Sequence, residues 1–323
     1  MDTGFEAKRV GVVGVGHLGQ HHARVYTELL DARLVGIADS DESRSHFISE
    51  QLGVPYYSSM DELIERQRPD ALSIVVPTIM HYSMAKQALG HGVHVLIEKP
   101  VTTRPCEAED LLNIAAKNNL VLQVGHIERF NSAVRHISQT IREPLFLESR
   151  RIGPFSPRVK DVGVVLDLMI HDIDIFLSLV PSEISRIAAT GRRVLTEHED
   201  IASAQFTFEN GVMGHIMVSR VAETRMRQLD IMEQGRHITV NYETQDVRVH
   251  RCVRDNIGVT EILEHPIFPK GEPLKLELAH FISCVREKRQ PLVGIRDGKR
   301  ALEVAIEVLR QIHDTPGEAR AYA

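Results

Sequence analysis

Three polar residues interrupt an apolar segment, residues 164–179, at spacings that suit an acid–base site. Asp167, His171 and Asp174 are four and three residues apart, so an α-helix would place all three on one face. Because the rest of the segment is apolar nearly all round, we expect this helix to be buried. Buried charge is costly unless it is paired or used, so the three residues are candidates for a catalytic or substrate-binding site.

Two other interpretations fit the same spacing. A histidine that bridges two carboxylates in the core would be satisfied there and would take part in no reaction. Imidazole and carboxylates also bind zinc or iron, but no further ligands stand at a suitable spacing. We therefore predict no metal.

A second group of residues has the spacing of a dinucleotide-binding loop. Gly14, Gly16 and Gly19 match G-x-G-x-x-G, with His17 and Leu18 before the last glycine, between a predicted strand and a predicted helix. The glycines permit a tight turn and close backbone approach, and the helix N-terminus would face a pyrophosphate. We expect His17 to be an exposed loop residue that takes no part in the chemistry.

An acidic residue follows this glycine loop at the spacing that a dinucleotide site requires. Asp39 ends the second predicted strand, 20 residues after Gly19, where a carboxylate can accept hydrogen bonds from the ribose hydroxyls. The same charge would repel a 2′-phosphate, so NAD is favoured over NADP. Ser40 and Arg44 stand close by and leave some tolerance of NADP open.

Lys99 is the third candidate for chemistry. Glu98-Lys99-Pro100 follows the predicted strand 94–97, and ligands of doubly wound sheets bind beyond the carboxyl ends of the strands. Lys99 is therefore expected beside the nicotinamide end of the dinucleotide. A solvated lysine before a turn-forming proline explains its position equally well.

The elements that must position these residues differ between the two halves of the chain. In the first half, predicted strands at 9–15, 32–39, 71–76, 94–97 and 121–125 alternate with predicted helices near 18–30, 43–52, 60–66, 80–90 and 106–118. This alternation predicts βαβ units and a parallel sheet.

After Gly125 the pattern becomes that of an α+β domain. The helix 164–179 is followed by predicted strand pairs that flank Asn210-Gly211 and Gln234-Gly235, and by closing helices at 273–286 and 299–312. We predict an N-terminal Rossmann domain, residues 1–126, and a C-terminal domain, residues 127–323, with a large, mostly antiparallel open sheet.

Composition excludes several classes of function. The 323 residues have a net charge of −6 and no tryptophan, which argues against a nucleic-acid partner. No stretch approaches the roughly 18 apolar residues of a membrane span, and Met1–Arg9 lacks the features of a signal peptide. Cys106, Cys252 and Cys284 are too far apart to suggest disulfides or a thiolate metal site. We expect a cytoplasmic protein.

Taken together, the motifs resemble the Gfo/Idh/MocA family of oxidoreductases along the whole chain. The likeness rests on the glycine loop, on Val76-Pro77-Thr78 with His81, on Glu98-Lys99-Pro100, and on Asp167-x-x-x-His171-x-x-Asp174. The resemblance implies an enzyme that transfers a hydride from a sugar hydroxyl to NAD, with a Rossmann domain and an open-sheet domain that forms a homodimer or homotetramer.

The resemblance also implies roles for individual residues. Lys99, Asp167 and His171 match the catalytic lysine, aspartate and histidine. We expect His171 to be the general base, since imidazole titrates near working pH, and Lys99 to stabilise the developing alkoxide. Asp167 would orient the site or hold the sugar. The division in which Lys99 is the base stays open.

The cofactor contacts implied by the same resemblance extend beyond the glycine loop. They are Gly14, Gly16, His17, Leu18, Gly19, Asp39, Pro77, Thr78, His81, Glu98 and Lys99. Thr78 stands where family members often have asparagine.

A narrower likeness concerns the substrate. Gly125-His126-Ile127-Glu128-Arg129-Phe130-Asn131 and residues 165–172 resemble members that oxidise the 3-hydroxyl of UDP-N-acetylglucosamine, which supplies a 3-keto sugar toward a diamino lipid A sugar. Dehydrogenation of inositol or another free sugar, tightly bound NAD that cycles within the site, and nucleotide binding without turnover are the alternatives.

A nucleotide sugar also requires positive charge for its diphosphate. Arg150, Arg151, Arg158 and Lys160 precede the helix 164–179, and we interpret them as a basic loop beside the site. A solvated basic loop with no ligand is the alternative. The predicted substrate contacts are Lys99, Arg129, Arg158, Lys160, Asp167, His171 and Asp174.

Overall fold

The computed structural model describes residues 6–156, 162–254 and 259–314. Contacts divide the chain into two compact units, residues 1–127 with 272–299, and residues 128–271 with 300–323. The sequence prediction assigned the whole of 127–323 to one domain, whereas the structure returns 272–299 to the first unit. None of the helices within the described ranges is both long and apolar enough to cross a membrane.

The first unit has a six-stranded parallel sheet in the order β3-β2-β1-β4-β5-β6. Its elements are β1 Lys8–Val13, α1 Gly19–Glu28, β2 Ala32–Ala38, α2 Glu42–Leu52, β3 Tyr56–Tyr57, α3 Met60–Gln67, β4 Ala71–Ile74, α4 Thr78–Gly90, β5 His94–Glu98, α5 Pro105–Lys117 and β6 Leu122–Gly125. This strand order is that of a Rossmann fold, and the predicted fold class is confirmed.

Burial explains why the strands of the first unit are apolar and why residues 272–299 belong to this unit. Val10 and Leu96 on central strands are fully buried, as expected for a parallel sheet covered on both faces. The helix α8, Pro273–Glu287, contributes Leu278 and Phe281 to the same hydrophobic core. This shared core places α8 in the first unit.

The second unit has an eight-stranded sheet in the order β14-β13-β12-β11-β7-β10-β9-β8, in which only β7 and β10 pair in parallel. Its elements are α6 Ser132–Thr140, β7 Pro144–Ile152, α7 Ile170–Leu179, β8 Ile184–Arg192, β9 Ile201–Phe208, β10 Met213–Ser219, β11 Met226–Glu233, β12 Arg236–Asn241, β13 Asp246–Arg254 and β14 Val259–Glu264. The helix α9, Ile295–Asp314, runs through the boundary at 299/300.

The two faces of this sheet differ in chemistry. Leu147, Ile216 and Leu229 point into a core that also contains Phe176 of α7. The strand residues that point to the other face are more exposed, among them Met213 and Met217 on β10 and Met232 on β11. The predicted mostly antiparallel open sheet is therefore present.

Candidate active site

The glycine loop connects β1 to α1 and leaves no room for side chains at its two ends. Gly14 has φ +85°, and a Cβ there would lie 2.3 Å from the carbonyl oxygen of Val75. A Cβ on Gly19 would lie 1.8 Å from the carbonyl oxygen of Gly14. A Cβ on Gly16 would meet no atom within 4 Å, so the loop opens there to any group that approaches its backbone.

Asp39 fixes this loop from the end of β2. Its Oδ2 accepts a 2.7 Å hydrogen bond from the N–H of Val15, and its Oδ1 accepts one of 3.0 Å from the N–H of Asp41. Arg44 donates from Nε to the carbonyl of Val15 at 3.0 Å. His17 is exposed, as predicted.

A cavity of about 420 Å³ lies beside the loop. Its lining combines the loop, Asp39 and apolar side chains: Val13, Gly14, Gly16, Ala38, Asp39, Ser40, Ser58, Ser59, Met60, Asp61, Val75, Val76, Pro77, Met80, Met84 and Gln87. The apolar side chains suit a ring system, and Asp39 offers a carboxylate to a ribose. These residues fit the adenosine half of a dinucleotide.

Lys99 follows β5 at the carboxyl end of the sheet and is half-buried. The preceding residue, Glu98, points inward and is almost fully buried. Its Oε2 accepts a 3.1 Å hydrogen bond from the N–H of Lys99, and its Oε1 lies 3.2 Å from Nε2 of His22. Glu98 was predicted as a cofactor contact, and the structure instead places its carboxyl among protein groups.

The Pro77–His81 segment begins α4 at the same edge of the sheet. Pro77 is exposed and Thr78 half-exposed, so both are available to a ligand. His81 is buried, with Nδ1 2.7 Å from the carbonyl oxygen of Pro100 and Nε2 2.9 Å from that of Val76. Burial lowers the pKa of His81 despite these two carbonyl groups. Its ring nitrogens therefore contact backbone, which differs from the predicted cofactor contact.

In the second unit, the predicted helix 164–179 starts with a π-helical turn, Val165–Met169, and continues as α7. Asp167 lies in the π-helical turn and His171 in the first turn of α7, and both are half-buried. π-helical turns occur frequently at functional sites, because they change the direction of side chains within a helix. Most of the other apolar side chains of the segment are buried, as its composition predicts, whereas Leu166, Leu168 and Leu177 are half-buried.

Asp174 and Arg129 were both predicted as substrate contacts. Asp174 is almost fully buried, and its Oδ1 lies 3.5 Å from Nη1 of Arg129. The two residues form an ion pair with each other. This pair anchors α7 to the turn Ile127–Phe130 that follows the first unit.

A buried ion network that the sequence did not predict includes Asp172, the residue that follows His171. Arg151 donates to both oxygens of Asp172, at 2.7 and 3.1 Å, and from Nη1 to Glu128 at 2.9 Å. Its guanidinium also lies over the ring of Tyr242, 4.9 Å from the centroid. Burial opposes the charge of Arg151, but Asp172 and Glu128 outweigh it and raise the pKa of Arg151 well above its usual value.

This network corrects the predicted basic loop. Arg151 is buried within the protein, while Arg150 lies on the opposite face of β7 and pairs with Glu148 at 2.9 Å. Neighbouring residues of a strand point to opposite faces, so the two arginines cannot serve one site. Arg158 and Lys160 lie outside the described residues.

The described residues contain one group of three possible metal ligands, and it lies apart from Asp167, His171 and Asp174. His250 and Cys252 on β13 and Glu261 on β14 bring their ligand atoms within 4.8 Å of one another on an exposed surface. Asp167, His171 and Asp174 do not form such a group among the described residues.

Comparisons with known proteins cover both units. Residues 8–126 match the model of the GFO/IDH/MocA oxidoreductase family, NAD-binding Rossmann fold, and residues 132–241 match the GFO/IDH/MocA C-terminal domain. UDP-N-acetylglucosamine 3-dehydrogenase of Acidithiobacillus ferrooxidans is 34% identical over 93% of this chain and 96% of its own length. Its solved structure has a TM-score of 0.88, with 32% identity over 95% of this chain and 98% of that one. The scyllo-inositol 2-dehydrogenase (NAD(+)) of Bacillus subtilis is 26% identical over 92% of each chain.

Proposed function

The chain belongs to the Gfo/Idh/MocA oxidoreductase family, and we propose that it oxidises the 3-hydroxyl of UDP-N-acetylglucosamine with NAD. One observation carries the choice of substrate: the similarity to the Acidithiobacillus ferrooxidans dehydrogenase extends through both units. The glycine loop, Asp39 and Lys99 of the first unit and the polar residues of the helix 164–179 are the parts that such a reaction requires.

Asp39 supports NAD as the cofactor. Its carboxylate is held by two backbone N–H groups at the edge of the cavity, so it cannot turn away from a ribose bound there. A 2′-phosphate in that position would meet this fixed negative charge. Bound NAD supplies the acceptor for the hydride, while the protein positions the sugar and manages its proton.

In the proposed chemistry, one residue accepts the proton of the sugar hydroxyl and another stabilises the charge that develops on its oxygen. His171 takes the hydroxyl proton as general base, and Lys99 donates a hydrogen bond to the oxygen as alkoxide charge develops. Asp167 orients the sugar. If Lys99 is instead the base, the products are the same. The two arrangements then differ in how kcat depends on pH in the variants His171→Asn and Lys99→Ala.

Only part of the predicted basic loop stays available to bind the diphosphate. Arg150 and Arg151 are engaged with Glu148, Glu128 and Asp172, so the proposal retains only Arg158 and Lys160 from the basic loop. Replacing both by alanine should raise the KM for the nucleotide sugar much more than that for NAD. Equal changes in the two KM values would show that Arg158 and Lys160 do not bind the substrate.

We further propose that the protein is cytoplasmic and assembles as a homodimer or homotetramer through the open sheet. Three adjacent strands bring Phe146, Met213 and Met232 together on its exposed face. Apolar patches of this kind usually mark contact surfaces. Light scattering should show an oligomer that Met232→Glu weakens, and a wild-type monomer at micromolar concentration would contradict this assembly.

Dehydrogenation of a free inositol is the second candidate, favoured by the likeness to the Bacillus subtilis enzyme. Absorbance of reduced nicotinamide separates the two. UDP-N-acetylglucosamine should reduce NAD, whereas free N-acetylglucosamine and inositols should not. Turnover of an inositol with no response to a UDP-sugar would establish the second candidate instead.

A further inference from the structure

A group of buried ionisable residues lies next to Lys99 in the first unit, and the proposed chemistry does not use it. Glu277 of α8 and His22 of α1 have no exposed surface, and Glu98 of β5 has almost none. Neither carboxyl oxygen of Glu277 has a hydrogen-bond partner among the described residues. A carboxyl buried without partners in this way calls for a physical explanation.

Glu98 has the partners that an ionised carboxylate needs. It accepts the N–H of Lys99, faces Nε2 of His22, and packs on Gly125, where a Cβ would lie 2.7 Å from Oε1. Burial opposes its ionisation, but His22 and the positive charge of Lys99 outweigh burial and lower the pKa of Glu98. Its position and charge are therefore both set by its neighbours.

Glu277 has the opposite surroundings. The polar groups close to it include Glu98 at the end of β5, Tyr26 on α1 and Gln123 on β6, whose Nε2 donates to the backbone carbonyl of Glu277 at 3.3 Å. None of these groups supplies a positive charge. Burial and the negative charge of Glu98 both raise the pKa of Glu277 well above its usual value. An unpaired buried carboxylate is so costly that the group keeps its proton instead.

We propose that Glu277 is a positioning residue for Lys99: its carboxyl stays protonated, so the pair Glu98–Glu277 carries one negative charge, and that charge stays on Glu98 beside the peptide N–H of Lys99. A second charge in the pair would repel the first and loosen the contact that holds Lys99. The effect on turnover rests on the proposed dehydrogenase function, whereas the proton on Glu277 does not depend on it.

Thermal unfolding tests directly whether Glu277 is protonated in the native state. The unfolded chain releases this proton at the ordinary pKa of glutamate, whereas the native state keeps it. The native state therefore loses stability relative to the unfolded chain as pH rises. Glu277→Gln keeps the shape and removes the titrating group, so its Tm relative to wild type should be higher at about pH 9 than at about pH 5. A constant difference over this range would overturn the proposal.

Glu287→Gln on the same helix is the matched control. Glu287 is exposed, and its pairing with Arg289, Ser283 and Arg286 lowers its pKa to about 2. Its contribution is therefore already complete at pH 5, and the Tm difference of this variant should not change from there upward.

Turnover tests the positioning role. Glu277→Ala should lower kcat by about tenfold through misplacement of Lys99, with a smaller change in the KM for NAD, and Glu277→Gln should restore most of this loss. Equal kcat in Glu277→Ala and wild type would contradict positioning. If wild type oxidises no sugar, the proposed function fails, and the unfolding experiment still decides whether Glu277 keeps its proton.

Discussion

Oδ2 of Asp39 accepts a hydrogen bond of 2.7 Å from the N–H of Val15, which joins the end of β2 to the middle of the glycine loop. The residue predicted to select the cofactor therefore also shapes the loop that would bind its pyrophosphate. The sequence separates these two residues by 24 positions. Any variant of Asp39 must then affect both the choice of cofactor and the geometry of the loop.

In the variant Asp39→Ser, comparing NAD with NADP distinguishes the effect on cofactor choice from the effect on loop geometry. Affinity for both NAD and NADP should fall because the loop loses its support, but NADP should lose less because the repulsion of its 2′-phosphate is relieved. The ratio of kcat/KM for NAD to that for NADP should decrease by about tenfold or more, as expected when one close charge is removed. An unchanged ratio would show that Asp39 does not face the ribose. Asp41→Asn, at the N-cap of α2, is the control and should leave the ratio unchanged.

The neighbours Arg150 and Arg151 offer a second test. Arg151→Met leaves Asp172 and Glu128 as buried charges without their cation, and should reduce the free energy of unfolding by about 3–5 kcal/mol. Arg150→Met removes an exposed ion pair and should cost less than about 1 kcal/mol. Urea denaturation measures both. Equal stability of the two variants would show that the buried network does not support α7.

The sequence predicted those features of the structure that depend on residues close together in the chain. The glycine loop and Asp39 could be placed because a turn and a strand end are set by neighbouring residues. Arg151 was misplaced because its role depends on the length of β7: the strand runs to Ile152 and turns adjacent arginines to opposite faces.

Other elements gave no local signal. Residues Val259–Glu264 of β14 are exposed on both faces of an edge strand, so no apolar alternation marks them. The assignment of α8 to the first unit depends on residues more than 200 positions apart in the chain, such as Val10 and Phe281, which belong to the same hydrophobic core. Glu277 gave no signal either, because an acidic residue in an amphipathic helix normally faces water.

Acid should destabilise the second unit through Asp200. This buried carboxylate accepts hydrogen bonds from the N–H groups of Val194, Leu195 and Thr196 and pairs with Arg220 at 2.6 Å. Burial opposes its charge, but these donors outweigh burial and hold the pKa of Asp200 far below its usual value.

A group with a lowered pKa stabilises the native state above its unfolded pKa, and this contribution is lost as pH falls. Asp200→Asn should therefore be less stable than wild type at pH 7, and the difference in Tm should shrink between about pH 5 and pH 2. Asp246→Asn, which removes an exposed partner of Lys270, should show a much smaller difference at pH 7. A gap between Asp200→Asn and wild type that is independent of pH would contradict this assignment.

His171→Asn and Lys99→Ala test the catalytic assignment. Both should fold as wild type does, because neither residue belongs to the buried core, and each should lower kcat by about 10²-fold or more. His171→Asn should also bind NAD as wild type does. Near-normal turnover in either variant would remove that residue from the chemistry. Treatment with a chelator should leave the wild-type rate unchanged, and a loss restored by zinc would reopen the metal interpretation.

The most direct test of the central proposal follows the hydride itself. Wild-type protein is mixed with NAD and UDP-N-acetylglucosamine that carries deuterium at C3, and the reduced cofactor is analysed by mass spectrometry. The NADH should carry the deuterium and should form more slowly than from unlabelled substrate. NADH that forms without deuterium, or that forms from an inositol and not from the nucleotide sugar, would contradict it.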